Sequence, residues 1–289
     1  MPESLKISLG GIPISLIPDQ ISGDYDLVNR AIDFRSLVVP EISLLIHCGW
    51  FPELSSEQVS FETHQSWQLL QVDGKWVIKV RSPDLDPYQI GVFPSDFRSG
   101  DIYVAANEGT PHRYIFPLSY PLGELYMMNL LGTGLGMLFH ATGVIDRGKG
   151  YLFTGHGGAG KTTIARLWEA LPDVRVVNDD KVIVREEAGE FRLYGTPWHG
   201  DGGMALPDSA PLAKVFILKQ ATQNSYASLP PVQAAGDLLA RLFVPLWDAE
   251  KIANTLRILD KLCQDIPCHE LGFLPDSSIV DFVRNLSYE

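Results

Sequence analysis

The segment Gly155-His156-Gly157-Gly158-Ala159-Gly160-Lys161-Thr162-Thr163 constrains this chain more than any other. It follows the apolar run Tyr151-Leu152-Phe153 and precedes the helical pattern Ile164-Ala165-Arg166-Leu167-Trp168. The pattern G-x-x-x-x-G-K-[ST] between a strand and a helix is the arrangement that cradles phosphate. Glycines allow positive φ and let backbone N–H groups approach phosphate oxygens, and the helix start adds partial positive charge. In this reading the loop Gly155 to Thr163 binds the phosphates of a nucleotide, Lys161 reaches the terminal phosphates, and Thr162 offers its hydroxyl to Mg²⁺.

The 289 residues suffice for one large domain or two modest ones. A formal charge of −12 argues against a nucleic-acid surface or an anionic-membrane surface. Cys48, Cys263 and Cys268 form no C-x-x-C pair and leave one cysteine over, so neither a zinc site nor a disulfide framework is indicated. With no basic, apolar leader at Met1-Pro2-Glu3-Ser4 and no run of membrane-spanning length, the expected location is the cytoplasm. A homo-oligomer is compatible with all of this.

Residues 1–118 read as a β-rich amino-terminal region, a mostly antiparallel layer. Apolar runs at Ile7 to Ile14, Leu37-Val38-Val39-Pro40 and Ile42 to Ile46 read as strands. Asp73-Gly74 between Trp67 to Val72 and Lys75 to Val80 is a hairpin signal, and strands are expected at Gln89 to Phe93 and Asp101 to Ala105. His47 and His64 lack ligand spacing and are read as packing or surface residues. Residues 119–289 read as the nucleotide-binding domain, an α/β unit with a mixed sheet. Pro121 to Leu131 is expected to be helical with Gly132 as its stop. Met137 to Ile145 reads as a buried strand turning at Asp146 to Gly150 into the strand that feeds the loop. Lys181 to Arg185 and Phe191 to Tyr194 make a further hairpin. Lys214 to Lys219 reads as a strand, Ala234 to Phe243 and Asp248 to Leu262 as helices, and Ile266 to Phe273 and Ile279 to Leu286 as a closing strand and helix.

Two features near the loop carry chemistry. His140 lies on the strand that precedes it. Shortly after it, the β run Val174-Arg175-Val176-Val177 closes in Asn178-Asp179-Asp180. Adjacent carboxylates at a strand end can hold Mg²⁺ and leave an oxygen to accept a proton from a hydroxyl nucleophile. An acidic turn would use the same residues. The glycine-rich stretch Gly195 to Gly203 is too irregular for regular structure and offers His199 and Asp201 to a metal or substrate. Arg241 or Lys214 can add charge near a γ-phosphate.

Taken together, His140, the loop and Asn178-Asp179-Asp180 resemble, in order and spacing, the kinase domain of HPr kinase/phosphorylase and its relatives. That family shares a nucleotide-binding core with ATP-dependent phosphoenolpyruvate carboxykinase. The resemblance covers roughly residues 120 to 285. It implies a P-loop kinase core with a mixed sheet, ATP and Mg²⁺ as cofactors, and catalytic roles for His140, Lys161 and Asp180. It makes Asp180 the base toward a serine hydroxyl and puts Thr162 at the metal. The family's Glu-, Arg- and Gly-rich segment after the acidic pair is absent here. The loop Gly195 to Gly203 occupies that region, with Asp201 the nearest acidic residue; Thr162, Asp179 and Asp201 are thus the expected metal ligands.

The reading is an ATP- and Mg²⁺-dependent phosphotransferase whose partners are a nucleotide and a hydroxyl acceptor, such as a serine of a protein, a peptide or the free amino acid. The alternatives are a nucleotide-binding regulatory module without transfer, or a carboxykinase-like enzyme. A GTPase is disfavoured because no Asn-Lys-x-Asp segment occurs.

Overall fold

The computed structural model describes residues 4–19, 24–26, 31, 33–54, 58–63, 66–82, 86–106 and 113–286. His64 lies outside these residues. The described chain is a mixed α/β structure made mostly of strands, with two large mixed sheets. It divides into two compact units, Met1–Thr133 with Pro245–Ala249, and Gly134–Val244 with Glu250–Glu289.

The first unit carries β1 (Leu5–Leu9), β2 (Ile12–Pro18), β3 (Asp24–Asp26), β4 (Ile42–Cys48), β5 (Gln58–Thr63), β6 (Trp67–Val72), β7 (Lys75–Arg81), β8 (Pro87–Phe93), β9 (Ser99–Val104) and β10 (Arg113–Ile115). Eight of them form one sheet in the order β1-β2-β4-β9-β8-β7-β6-β5. Most neighbours are antiparallel, as expected, but β4 runs parallel to both β2 and β9. Asp73 and Gly74 both have positive φ, 49° and 75°, which is the backbone a two-residue hairpin demands; the register Val72↔Lys75 follows. Alternation shows directly in β4, where Ile42, Leu44 and Ile46 are buried and Ser43 and Leu45 are exposed. Leu37-Val38-Val39-Pro40 is no strand: Leu37 and Val39 are exposed and the segment pairs with nothing in the sheet.

Helix α1 (Leu122–Leu130) has every residue buried. The sequence expectation of a stop at Gly132 is corrected, because the chain continues through a π turn, Leu131–Leu135, and reverses at Gly134, whose φ is 101°. Trp247 lies in the segment Pro245–Ala249, which belongs to this first unit. Its indole Nε1 donates to Asn129 Oδ1 at 3.1 Å and its ring meets Phe61 and Trp67.

In the second unit β11 (Met137–Asp146) turns through Arg147 and Gly148 into β12 (Lys149–Thr154). After the glycine-rich loop come α2 (Lys161–Glu169), β13 (Val174–Asn178), β14 (Lys181–Glu187) and β15 (Glu190–Tyr194). The rest is β16 (Ser209–Gln220), β17 (Ser225–Ser228), α3 (Pro231–Leu239), β18 (Leu242–Phe243), α4 (Ala249–Asp265), β19 (Cys268–Phe273) and α5 (Ser278–Arg284). β16 runs parallel to both β12 and β19, while β11 is antiparallel to β12, β13 and β14. Leu242 and Phe243, expected at the end of a helix, instead pair with Phe139 and Leu138.

The period of two along the strands builds two cores. Leu152, Val215 and Ile217 pack with Leu238, Ile258 and Leu262 of α3 and α4. Tyr151, Phe153 and Phe216 pack with Ile164 and Trp168 of α2 and with Ile279 and Val283 of α5. The sheet is therefore covered by helices on both faces, as a sheet with buried parallel strands requires.

His269 on β19 is 8% exposed, stacks on Phe216, and neither ring nitrogen is hydrogen-bonded among the described residues. Burial, and secondarily the charge of Lys214, push its pKa below the ordinary value. The unfolded chain then binds the proton more tightly, so stability falls as pH drops below about 6.5 and continues to fall until the folded-state pKa is passed. In urea titrations between pH 8 and pH 5, His269→Phe is expected to lose less stability than the native chain. Parallel losses would contradict this account.

Candidate functional site

The loop Gly155 to Gly160 joins the end of β12 to the start of α2. Gly158 and Gly160 have φ of 78° and 105°, and a Cβ at Gly160 would stand 2.5 Å from the Phe273 ring, so glycine is needed there on both counts. Helix α2 begins without a side-chain cap, and the amides of its first turn are left for another acceptor apart from Ile164 N, which donates to Gly160 O at 2.9 Å. Lys161 curls back over the loop: its Nζ donates to Gly155 O at 3.1 Å and to His156 O at 3.4 Å. Burial lowers the pKa of Lys161, Asp180 raises it, and Arg241 lowers it further. The lysine is thus poised between an acid and a second cation.

Asp179 and Asp180 sit in a bend made by their neighbour. Asn178 Oδ1 accepts the N–H groups of Asp180 at 2.7 Å and Lys181 at 2.6 Å, while its Nδ2 donates to Thr196 O at 2.9 Å. This is the turn that an Asn side chain makes with its own backbone, and here it lies at the site and helps to build it. Asp179 is buried, with Oδ1 accepting from Gly200 N at 3.1 Å and Oδ2 from Gly202 N at 2.7 Å. A Cβ at Gly202 would stand 2.5 Å from that Oδ2. The glycine-rich loop is therefore a cup of amides around one carboxylate.

Asp180 is held by two side chains. Its Oδ1 lies 2.8 Å from His140 Nδ1, and its Oδ2 accepts from Lys181 Nζ. Burial pushes its pKa up, but the hydrogen bonds and charges of His140 and Lys181 outweigh that and hold it well below the usual carboxylate range. Thr142, two residues along β11 from His140, sends its hydroxyl to Lys161 O at 3.1 Å and to Asp179 O at 3.4 Å. One threonine thereby ties the helix start to the acidic bend.

These groups surround one cavity of about 440 Å³ lined by His140, Lys161, Thr162, Asp179, Asp180 and Asp201, together with Thr163 and glycines 157, 158, 160 and 200. Of the residues singled out in the sequence, Gly155 and Ala159 are buried beneath the loop, and His156 is exposed with its Nδ1 on Gly157 O. His199 turns its Nδ1 to Gly200 O. Lys214 is buried with its Nζ on Leu286 O, away from these groups. Asn178 was named only as the residue that leads into the acidic pair, and Lys181 and Thr142 were not singled out.

Among the described residues no group of three or more His, Cys, Asp or Glu side chains is arranged to hold a metal ion. The donors present still suit a hard cation that takes most of its ligands from phosphate and water. Thr162 and Asp201 line the cavity, whereas both oxygens of Asp179 already accept amides.

Residues 125–258 match the family model of the SynChlorMet cassette protein ScmC. No curated protein matches the chain. Among solved structures, the Hpr(Ser) kinase/phosphatase from Coxiella burnetii is a weak neighbour, with a TM-score of 0.31 and 11% identity over 52% of this chain and 87% of that one. No helix among the described residues is long and apolar enough to cross a membrane.

Proposed function

We propose that the second unit is a P-loop kinase core of the HPr kinase type, an ATP- and Mg²⁺-dependent phosphotransferase acting on the hydroxyl of a serine. The observation that carries this reading is the convergence of the Gly157 to Thr163 segment, His140, Asp179, Asp180 and Asp201 on one cavity.

Phosphoryl transfer asks a protein mainly for positioning and charge neutralisation. The loop amides and the start of α2 receive the β- and γ-phosphates, and Lys161, released from its own loop carbonyls, neutralises them. Arg241, whose charge acts on Lys161, adds to the positive field. Mg²⁺ would offset the developing negative charge, and Thr162, Asp201 and the lone pairs of Asp179 that the glycine amides leave free would hold it. The His140–Asp180 pair stands at the acceptor side and takes the hydroxyl proton.

The test uses ATP labelled at the γ-phosphate, with Mg²⁺ and L-serine or a seryl peptide as probe acceptors. The native protein is expected to transfer label. Asp180→Asn is expected to transfer it about 10²-fold more slowly or worse, the scale of losing a general acid–base group. Label that never leaves ATP, or a fully active Asp180→Asn, would contradict the reading.

A further inference from the structure

The antiparallel register of β11 and β14 sets His140 directly opposite Lys181. Residues paired across strands in this way project to the same side with neighbouring Cβ atoms. Asp180 lies between them, its main chain fixed by Ala141 N, which donates to Asp180 O at 2.9 Å, and by Asn178. Phe243 backs both partners of the carboxylate, edge-on to the His140 ring at 6.3 Å and 5.8 Å from Lys181 Nζ. The result is a carboxylate with one oxygen on an imidazole and the other on an ammonium.

Hydrogen-bond bookkeeping fixes the tautomer of the neutral imidazole. An ionised carboxylate only accepts, so His140 Nδ1 must carry the proton of the contact with Oδ1. A neutral imidazole has a single N–H, which leaves Nε2 with a lone pair. No described residue bonds to Nε2, and the His140 side chain is 39% exposed in the wall of the cavity. The Asp180 oxygens, in contrast, are both engaged.

We infer that His140 Nε2 is the atom that accepts the hydroxyl proton, that Asp180 orients it through Nδ1, and that Lys181 is a positioning residue that locks Asp180. This rests on the phosphotransferase reading and deepens it. The acceptor oxygen forms its bond to the γ-phosphorus as the bond from that phosphorus to the bridging oxygen breaks. The bond's electron pair leaves with ADP, and the acceptor's proton passes to Nε2. The resulting imidazolium is stabilised by the Asp180 carboxylate and later loses its proton to water. The geometry supports this division of labour, because both Asp180 oxygens are already engaged, one by His140 and one by Lys181, whereas no described residue bonds to Nε2. Lys161, Arg241 and Asp179 also bear charge around the pair.

Two measurements test it. In the nucleotide-free protein labelled with ¹⁵N-histidine, at a pH where His140 is neutral, its spectrum is expected to show a protonated Nδ1 and an unprotonated Nε2. Asp180→Ala is expected to abolish that preference, Lys181→Met to blur it, and Lys181→Arg to restore it. A protonated Nε2 in the native protein would overturn the inference. In turnover of Mg·ATP with water as the probe acceptor, His140→Gln is expected to lower kcat by about 10²-fold or more with little change in KM. Lys181→Met is expected to lower kcat about tenfold or more, with Lys181→Arg recovering most of it. Turnover that survives His140→Gln overturns this assignment alone, whereas absence of turnover in the native protein overturns the phosphotransferase reading with it.

Discussion

Replacing Arg284 by methionine is expected to destabilise the second unit by about 3–5 kcal/mol, the scale seen when one partner of a buried ion pair is removed. Asp146, at the end of β11, is 2% exposed. Arg284 on α5 grips it with two bonds, Nε to Oδ2 and a terminal nitrogen to Oδ1, each 2.8 Å. The guanidinium also lies 5.7 Å from the Trp168 ring. Without the arginine, a carboxylate remains buried with its partner gone, which costs more than the pair itself is worth. Arg284→Met combined with Asp146→Leu should recover much of the loss, because a buried pair and an apolar substitute of similar volume differ little. Urea unfolding of the native protein, the single variants and the double variant measures this. A cost below about 1 kcal/mol for Arg284→Met would mean that the pair behaves like an exposed one.

Much of this architecture was legible because its signals are local. Asp73-Gly74 and Arg147-Gly148 turn where short-range geometry says they must. The strand, glycine loop and helix at 151–169 follow the spacing of the motif. What escaped depended on partners distant in the chain. Leu37 to Pro40 has strand composition but no sheet neighbour, and Leu242-Phe243 has helix composition but finds a ladder on β11. The parallel pairings of β4 could not be read from its alternation, which is the same in either direction.

The candidate site divides in the same way. The motif residues and the acidic pair could be named in advance, but their environments could not. Asp179 was expected at a metal, and what could not be foreseen is that its carboxylate is cupped by Gly200 and Gly202, whose amides approach only because neither residue has a side chain. Lys181 read as one more residue of a strand. Its meeting with Asp180 depends on the Asn178 bend and on the register with His140, both products of tertiary pairing.

The central claim is that this cavity receives the phosphates of a nucleotide, and thermal unfolding with and without Mg·ATP tests it most directly. At a free concentration about 100 times the dissociation constant, a ligand bound only by the folded state adds about 2.7 kcal/mol. For a unit of this size that corresponds to a rise of about 5–10 °C in Tm. Lys161→Ala removes the side chain that neutralises the phosphates. Among the described residues the lysine ammonium hydrogen-bonds only to carbonyls of its own loop, so the folded scaffold should persist without it. The account expects Mg·ATP to raise the Tm of the native protein by several degrees and to leave that of Lys161→Ala nearly unmoved. Equal shifts in the two proteins, or no shift in either at millimolar Mg·ATP, would contradict it.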